Sequence, residues 1–412
     1  MIESPTPTST DDARPSVAHF SRVFLRETEM YIYKQVHGLQ RYRPVVLTRV
    51  VANEQRFPWQ PVFASEPVMP ARIRPLTQLM HRGRMLTFWE RLYYTGVAKA
   101  HDVRLMHAHH GQDGRYILPL VRFLGVPLVT SFYGWDASQL PRAFGGLGRL
   151  FLRSVFQDAS LVLALSEAMA AELVNLGCPR AKIRVHRVGV DVQPREFDPR
   201  AAPPKEQPIR LVSAGRFIEK KGFSVLIRAF AIAQRRYPRL ELILVGDGPL
   251  RPELEALISG LGVKDKVRLT GFLPHAEVQT LFRRSHILVQ ASLTAASGDK
   301  EGIPGVLMEG MATGLPAVST HHAGIPELVR DGVSGRLVPE GDVEALAEAI
   351  SAVVGTPELW AAWGLEGHRY VEREHNVTIQ AERLAEFYDE VLEVWSRRAH
   401  ATGHNAARSN SN

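Results

Sequence analysis

Short apolar runs alternate with amphipathic segments along the second half of the chain, and this alternation restricts the fold more than any other feature. Strands are predicted at 209–215, 240–246, 266–270 and 286–290, and helices at 223–237, 250–261 and 275–284. Strands that are separated by single helices pair in parallel, with helices on both faces of the sheet. This half therefore predicts a doubly wound α/β domain.

The first half alternates in the same way. Its strands are predicted near 44–50, 103–108, 126–132, 160–165 and 183–188. A chain of 412 residues is also too long for a single core of ordinary size. We therefore predict two facing Rossmann-like domains, both doubly wound, with a cleft between them.

A charged, proline-rich run marks the predicted domain boundary. We assign 16–197 to the amino-terminal domain, 198–208 to a linker and 209–374 to the carboxy-terminal domain. An amphipathic helix is predicted at 377–397. The polar ends, 1–15 and 399–412, are expected to be disordered because they contain too few apolar residues to form a core.

Two carboxylates bracket a tight turn in the second half. Glu301 precedes this turn, and Glu309 lies on the helix that is predicted to follow it. The turn consists of Gly302, Ile303, Pro304 and Gly305. Free amides and the positive dipole end of a helix attract phosphate, so the pattern is typical of a sugar-nucleotide site. Taken alone, the two acids fit a solvated helix face equally well.

A pair of cations lies upstream, at a predicted crossover from strand to helix. Arg216 and Lys221 follow the apolar run that ends near Ser213. Ligands of open α/β sheets collect at the carboxyl ends of strands, where such cations neutralise a diphosphate. The spacing by itself is weak evidence, because exposed Arg and Lys are common.

Several motifs between 209 and 345 resemble the retaining glycosyltransferases of the GT-B fold, specifically the large family 4 that includes exopolysaccharide and colanic-acid-type enzymes. The motifs occur in the order typical of that family. They are Gly215-Arg216-x4-Lys221-Gly222, Gly246-x-Gly248-Pro249, Gly271-Phe272-Leu273, Glu301-x7-Glu309 and Ala323-Gly324-x-Pro326-Glu327. The resemblance implies a GT-B fold whose carboxy-terminal domain binds a nucleoside-diphosphate sugar.

This resemblance also implies a role for each matching residue. Arg216 and Lys221 would bind the diphosphate and stabilise it as it leaves. Glu301 would accept hydrogen bonds from the donor sugar and act in catalysis, and Glu309 would hold the ribose hydroxyls. The remaining donor-binding positions would contribute main chain to the base, sugar and phosphate, and they are Phe272, Leu273, Gly302, Ile303, Pro304 and Gly305. The side chains at Phe272 and Leu273 fit ordinary core packing. The helix at 375–398 would cross back to the amino-terminal domain, as in the family.

In the first domain, His107, His109 and His110 occur at one predicted strand end, and Tyr133 follows the next strand. The family often has a histidine where this chain has Tyr133, which cannot titrate near neutral pH. We therefore expect His109 to be the catalytic histidine of this domain. Gly111, Tyr133 and Asp136 are candidate cleft contacts.

A metal site is not expected. His107 and His109 share a strand face while His110 points away, and no carboxylate or cysteine completes a ligand set. No Asp-x-Asp motif occurs either. We therefore expect neither a metal nor another cofactor, with the sugar nucleotide serving as co-substrate.

The first hundred residues match the family least. Relatives carry a glycine-rich loop after the first strand, where this chain has Arg22 and Arg26. Either cation is a candidate substitute for that loop near the donor phosphates.

The implied reaction transfers a sugar from a nucleoside-diphosphate sugar to a hydroxyl acceptor, with retention of configuration. The expected acceptor is a saccharide or lipid-linked saccharide in polysaccharide or lipopolysaccharide biosynthesis. The leaving phosphate would take the acceptor proton, and covalent catalysis by Glu301 stays an alternative. Other GT-B activities, a phosphorylase or a nucleotide-sugar epimerase, stay open, as does a catalytically silent sugar-nucleotide-binding subunit.

Composition and charge indicate where the protein is located and which partners it binds. The single cysteine, Cys178, suits a reducing compartment, and no apolar run is long enough for a membrane span. A signal peptide is not expected, because the first 15 residues are rich in Ser, Thr, Pro and Asp rather than basic and then apolar. We expect a cytoplasmic enzyme, with the inner membrane face as a candidate location. The net charge of +7 comes from the amino-terminal half. A basic and aromatic cluster there is a candidate membrane or lipid-diphosphate contact, formed by Arg72, Arg74, Arg82, Arg84 and Arg91 with Trp59, Phe88, Trp89, Tyr93 and Tyr94.

Two other classes of protein are disfavoured. No nucleic-acid-binding module accompanies the basic charge, so a nucleic-acid partner is not expected. No Gly-x-Gly-x-x-Gly follows a predicted strand, which argues against a dinucleotide oxidoreductase.

Overall fold

The computed structural model describes residues 13–26, 29–55, 59–69, 85–192 and 197–409. For Phe144 and 399–409 it describes the main chain alone. The chain divides into two compact units. The first consists of Met1–Gly189 together with Val377–Asn412, and the second of Val190–Asn376. Each unit contains one parallel sheet with helices packed against it, as predicted.

The sheet of the first unit has seven parallel strands in the order β3-β2-β1-β4-β5-β6-β7. They are β1 (Ser16–Phe24), β2 (Arg43–Val51), β3 (Val62–Ala64), β4 (Val103–His109), β5 (Leu128–Ser131), β6 (Leu161–Ala164) and β7 (Ile183–Val185). Its α-helices before the second unit are α1 (Met30–Gly38), α2 (Ser65–Val68), α3 (Phe88–Ala100), α4 (Gly111–Leu124), α5 (Trp135–Ser138), α6 (Gly148–Asp158) and α7 (Glu167–Asn175). Short 3-10 turns occupy Leu140–Arg142, Phe144–Gly146 and Arg180–Lys182.

The second unit has six parallel strands in the order β10-β9-β8-β11-β12-β13. They are β8 (Ile209–Ala214), β9 (Leu240–Val245), β10 (Val267–Leu269), β11 (Ile287–Gln290), β12 (Ala317–Thr320) and β13 (Gly335–Val338). Its α-helices are α8 (Phe223–Arg236), α9 (Arg251–Gly260), α10 (His275–Arg284), α11 (Gly305–Ala312), α12 (Ile325–Leu328), α13 (Val343–Gly355) and α14 (Trp360–His375). Its 3-10 turns are Glu219–Lys221, Lys264–Lys266 and Pro357–Leu359.

Local signals explain several helix boundaries. Thr87 and Glu90 form a capping box that begins α3, and the hydroxyl of Ser166 accepts the amide of Met169 at the start of α7. Asp342 caps α13 in the same manner. These side chains satisfy amides that have no partner inside their own helix.

The final helix, α15 (Val377–Ser409), belongs to the first unit. Leu384 and Tyr388 of α15 pack in one apolar cluster with Val17, Leu105 and Val129 of the sheet. The helix therefore covers one face of the first sheet. It also continues through most of the range 399–412, which was expected to be disordered; alanines in that range favour a helix.

The boundary between the units differs from the predicted linker. The division falls between Gly189 and Val190, so residues 198–208 lie inside the second unit. Residues 197–208 have no regular structure, as a linker would, but Arg200 is buried there. Its guanidinium donates to the carbonyl oxygen of Phe282 at 3.1 Å and to Thr313 Oγ1 at 3.3 Å. Those contacts fix the segment to the second unit.

Four strands were not predicted: β1, β3, β12 and β13. β1 carries buried His19 and Ser21, which interrupt the apolar run that usually indicates a central strand. The other three contain only three or four residues each. Five strands of the same length were predicted, so length alone does not explain the omission; β12 and β13 also include polar residues that shorten their apolar runs.

Candidate active site

The cationic and acidic motifs of the second unit meet at the carboxyl edge of its sheet. Lys221 Nζ lies 3.1 Å from Glu301 Oε1. Lys220 Nζ lies 3.9 Å from the same oxygen and 3.0 Å from Asp299 Oδ2. Burial alone would raise the pKa of Glu301, but Lys221 and Lys220 lower it, and the pKa lies below its ordinary value. Glu301 is therefore an ionised, largely buried carboxylate that faces lysine.

Glycines allow the segments that carry these residues to approach each other. Gly222 has a φ of 67°, and a Cβ there would lie 1.7 Å from the carbonyl oxygen of Ala291, at the start of the Glu301 loop. In the same way, a Cβ on Gly246 would clash with the main chain of Gly215, and a Cβ on Gly248 would clash with the main chain of Phe217. The glycines of the sequence motifs therefore hold three strand-end loops together.

The turn before α11 has the predicted form. The helix begins at Gly305, and no side chain caps its amino end. Gly302, Ile303 and Pro304 are buried, whereas Gly305 is exposed. Glu309 lies on α11 and is half-buried. An uncapped helix start next to lysine is well suited to bind an anion.

Arg216 is exposed and follows Gly215, close to the end of β8. Phe272 and Leu273 follow the turn after β10, where the Gly271 carbonyl accepts the Gly246 amide at 2.9 Å. Phe272 is 74% exposed, so the expectation of core packing for its side chain was wrong. The chain leaves the sheet at Gly271, whose φ of 74° turns the next residue away from the core.

In the first unit, His109 does not occupy an open position. It is fully buried, with Nε2 3.1 Å from His19 Nδ1 and Nδ1 2.9 Å from the Tyr133 hydroxyl. Burial, followed by neighbouring imidazoles, lowers its pKa well below the ordinary value. Both ring nitrogens are occupied by protein partners, which argues against the catalytic role expected for His109.

His109 is one of three buried histidines that lie close together, and the sequence analysis indicated only two of them. His19 on β1 pairs with His107 on β4, and the ligating nitrogens of His19, His107 and His109 lie within 4.8 Å of one another. His107 is hydrogen-bonded through both nitrogens, to the Tyr388 hydroxyl at 2.6 Å and to Ser131 Oγ at 2.7 Å. Hydroxyl partners thus satisfy His107, and the expectation of no metal stays a prediction.

His110 is the titratable group that the sequence interpretation passed over. It has a φ of 79° and lies 3.7 Å from Asp136 and 3.6 Å from Glu29. Burial lowers its pKa, but the two carboxylates outweigh burial and raise the pKa to about 10. A cation therefore lies at the carboxyl ends of the first sheet. Only the tertiary fold brings Glu29 to this histidine.

Asp136 organises the candidate contacts of this unit. Its buried carboxylate accepts the amides of Gly111 at 2.9 Å, Tyr133 at 2.9 Å and Gly134 at 3.0 Å. A Cβ on Gly111 would lie 2.4 Å from the Phe132 ring, so glycine is required there. The predicted contacts Gly111, Tyr133 and Asp136 thus form one hydrogen-bonded cluster.

The arginines of the opening segment are paired. Arg22 Nε lies 2.5 Å from Asp113 Oδ1, and Arg26 lies 3.3 Å from Glu29. Each of the two candidate substitutes for the glycine-rich loop thus already faces a carboxylate.

Comparison with known proteins identifies the family. Residues 28–194 match the family described as "Glycosyltransferase Family 4", and 194–369 match "Glycosyl transferases group 1". The chain is 33% identical to the amylovoran biosynthesis glycosyltransferase AmsK of Erwinia amylovora, over 78% of this chain and 80% of that protein. It is 38% identical to the putative colanic acid biosynthesis glycosyltransferase WcaL of Escherichia coli, over 60% of each chain.

Solved structures agree on the fold. Anabaena HepE in complex with UDP has a TM-score of 0.71 at 20% identity, covering 92% of this chain and all of that one. Sucrose-phosphate synthase from Thermosynechococcus elongatus has a TM-score of 0.72 at 19% identity, with the same coverage. These likenesses support the GT-B fold with two Rossmann-like domains. The chain therefore belongs to the group 1 glycosyltransferases of family 4.

Proposed function

We propose that this glycosyltransferase moves a sugar from a nucleoside-diphosphate sugar to a hydroxyl of a saccharide or lipid-linked saccharide, with retention of configuration and without a metal. The product would enter polysaccharide or lipopolysaccharide assembly. The observation that carries the proposal is the Lys221–Glu301 pair, which adjoins the uncapped start of α11.

The charges of the second unit fit the departure of a diphosphate. Lys221 and Arg216 would neutralise negative charge as the bond from the anomeric carbon to phosphate oxygen breaks. Glu301, kept ionised by the lysines, would accept hydrogen bonds from sugar hydroxyls, and Glu309 would hold the ribose. The departing phosphate oxygen would take the proton of the acceptor hydroxyl, which then bonds to the same face of the sugar. Glu301 as a covalent nucleophile is the competing route.

Relatives suggest which donors to test first. Anabaena HepE has been solved with UDP and with UDP and glucose, and one relative at 30% identity is a GDP-mannose-dependent mannosyltransferase of Mycolicibacterium smegmatis. We propose thermal-shift measurements with UDP, GDP, ADP, TDP and their sugars, with magnesium or EDTA, since a ligand of the native state raises its stability. A selective shift that persists in EDTA supports a metal-independent donor site. The absence of a thermal shift with every one of these ligands would contradict the proposed donor site.

Product analysis with the selected donor then tests the reaction. The anomeric configuration of the product, read by NMR, distinguishes retention from inversion. A need for free phosphate would indicate a phosphorylase, and conversion of the donor without acceptor an epimerase. Donor binding without turnover on any lipid-linked or saccharide acceptor would favour a silent binding subunit.

We also propose that the first unit touches an anionic membrane surface, which would place the enzyme at the inner face of the cytoplasmic membrane. Arg72, Arg74, Arg82 and Arg84 lie outside the described residues. Within them, Phe88 (62%), Trp89 (39%) and Leu92 (48%) are exposed on α3, and the Arg91 guanidinium lies over the Phe88 ring and the exposed ring of Phe123, at 5.8 and 5.5 Å. Aromatic side chains combined with cations suit a lipid interface.

Co-sedimentation with vesicles tests this contact. The wild-type chain should bind vesicles that contain anionic lipid, and Trp89→Glu should bind less, whereas Ile232→Glu on the second unit should not change binding. Equal binding by all three would contradict the proposed surface. In the described part of the chain, no helix is both long and apolar enough to cross a membrane.

A further inference from the structure

Glu301 lies in a long irregular loop whose position depends on side chains outside it. Residues 291–304, between β11 and α11, form neither helix nor strand. Three of the loop amides donate to side chains elsewhere: Thr294 to Glu340 at 2.7 Å, Ala296 to Glu219 at 2.8 Å and Glu301 to His322 at 3.0 Å. Without such partners the loop would have few fixed points.

His322 and Glu340 hold this loop at two places. His322 Nδ1 lies 2.7 Å from Glu340 Oε1, and His322 Nε2 lies 3.0 Å from the Glu301 amide nitrogen. Glu340 Oε2 in turn accepts the Thr294 amide. The pair thus connects the beginning of the loop with the residue that bears the buried carboxylate.

The protonation pattern of His322 follows from its partners. A backbone amide can only donate, so Nε2 accepts from Glu301 and Nδ1 carries the proton that is donated to Glu340. His322 is fully buried, and both of its ring nitrogens have protein partners. Its segment makes a second contact, from the Gly324 amide to the Gly302 carbonyl oxygen at 3.3 Å.

We propose that His322 is a positioning residue, oriented by Glu340, which fixes the main chain at Glu301 so that the carboxylate faces Lys221 and the donor sugar. This inference rests on the proposed role of Glu301 in binding the donor. The arrangement resembles the outer-shell hydrogen bonds that orient ligating side chains in metal sites, where their loss is felt at the site itself.

Two substitutions separate the functions of the two ring nitrogens. In His322→Asn the amide group replaces Nδ1, so the bond to Glu340 can persist while the acceptor for the Glu301 amide is lost. In His322→Gln the side-chain oxygen reaches the position of Nε2 and keeps that acceptor. His286→Ala is the matched control, because His286 Nδ1 accepts the Arg210 amide at 2.9 Å at the opposite, amino-terminal edge of the same sheet.

The first measurement is hydrogen exchange of the full-length chain, read by mass spectrometry on peptides spanning 291–304. His322→Asn should speed exchange in this loop at least several-fold, and His322→Gln should restore most of the protection. The control should leave the loop unchanged. Equal loop exchange in wild type and His322→Asn would overturn the proposal, whether or not the protein binds a donor.

The second measurement uses UDP-glucose and GDP-mannose, each compared with UDP or GDP alone. For the donor that the wild type uses, His322→Asn should lower kcat/KM by about 10- to 100-fold, the scale expected for small misplacements of a reacting group. Binding of the sugar-free diphosphate should stay within about two-fold, because Glu301 is proposed to touch the sugar. Faster loop exchange with unchanged kcat/KM would refute the functional part of the inference. If Glu301→Gln also leaves kcat/KM unchanged, the role of Glu301 fails, while faster exchange would still support the positioning contact.

Discussion

The ammonium of Lys221 lies 3.1 Å from the carboxylate of Glu301, although 79 residues separate the two along the chain. Gly222 makes this approach possible, because any side chain there would meet the Ala291 carbonyl. The pair stands next to an uncapped helix start. A largely buried carboxylate, a lysine and the start of α11 thus lie at the carboxyl edge of the second sheet.

Removing the cations should slow turnover. We expect Lys221→Ala and Arg216→Ala each to lower kcat by about 100- to 1,000-fold, the usual effect of losing one group that stabilises developing negative charge. Steady-state kinetics with the selected sugar nucleotide checks this. Lys264→Ala, at an exposed lysine before β10, is the control and should be unaffected. Unchanged kcat in both site variants would remove these residues from the site.

Glu309 should act on nucleotide binding. Because two carboxylate oxygens suit two ribose hydroxyls, Glu309→Gln should weaken binding of the nucleoside diphosphate by about 10-fold or more, the effect of one charge-assisted hydrogen bond. Isothermal titration with the nucleoside diphosphate and its 2′-deoxy form measures this. The variant should also discriminate less between the two forms. Full discrimination in Glu309→Gln would assign the ribose contact to another residue.

A methyl group at Gly222 should disrupt the site. Gly222→Ala combines a positive φ with a clash against main chain, so the free energy of unfolding should fall by more than the roughly 1 kcal/mol that a positive φ costs alone. Gly262→Ala is the control, since Gly262 has a φ of 71° and open space at its Cβ. Urea unfolding of both variants gives the comparison. Equal losses of unfolding free energy in the two variants would show that the contact with Ala291 relaxes at little cost in free energy.

The buried histidines should make the first unit sensitive to acid. Burial lowers the pKa of His19 to about 3, while the unfolded chain binds the proton near 6.5. The unfolded state therefore holds more protons between these values, and stability is lost as the pH falls from about 6.5 towards 3. Because carboxylates also titrate in this range, the informative quantity is the difference from His19→Gln. Unfolding midpoints between pH 7 and 4 should decline less steeply in that variant; identical slopes would contradict a neutral buried His19.

His110 should show the opposite pH dependence. Its pKa is raised to about 10, so the contribution of its ion pairs is complete below about 6.5 and is lost as the pH rises through 10. The unfolding midpoint of the wild type should therefore fall more between pH 7 and 10 than that of His110→Gln. NMR titration of the ring checks the same property directly. A ring that titrates near 6.5 would show that Glu29 and Asp136 do not hold the charge.

Both sheets were predictable because central parallel strands are buried on both faces and therefore appear as apolar runs between amphipathic helices. All seven elements predicted between 209 and 290 fall within one residue of the observed bounds at each end. Three short strands, β3, β12 and β13, escaped prediction, as did β1 with its buried polar residues. The exposure of Phe272 was also missed, since an aromatic residue after a strand usually packs inside.

The sequence by itself determined the family, the two Rossmann-like domains and the motifs at Arg216, Lys221, Glu301 and Glu309, because these depend on local spacing and residue type. Only the tertiary structure decided which groups meet. In the folded chain His109 is buried and hydrogen-bonded to Tyr133, and His110 lies next to two carboxylates. The Glu301 amide donates to His322, which in turn is hydrogen-bonded to Glu340. Such contacts join residues from separate strand ends, and their distances depend on how the strands and loops pack, which no local pattern encodes. The pKa values and the position of Glu301 follow from that packing.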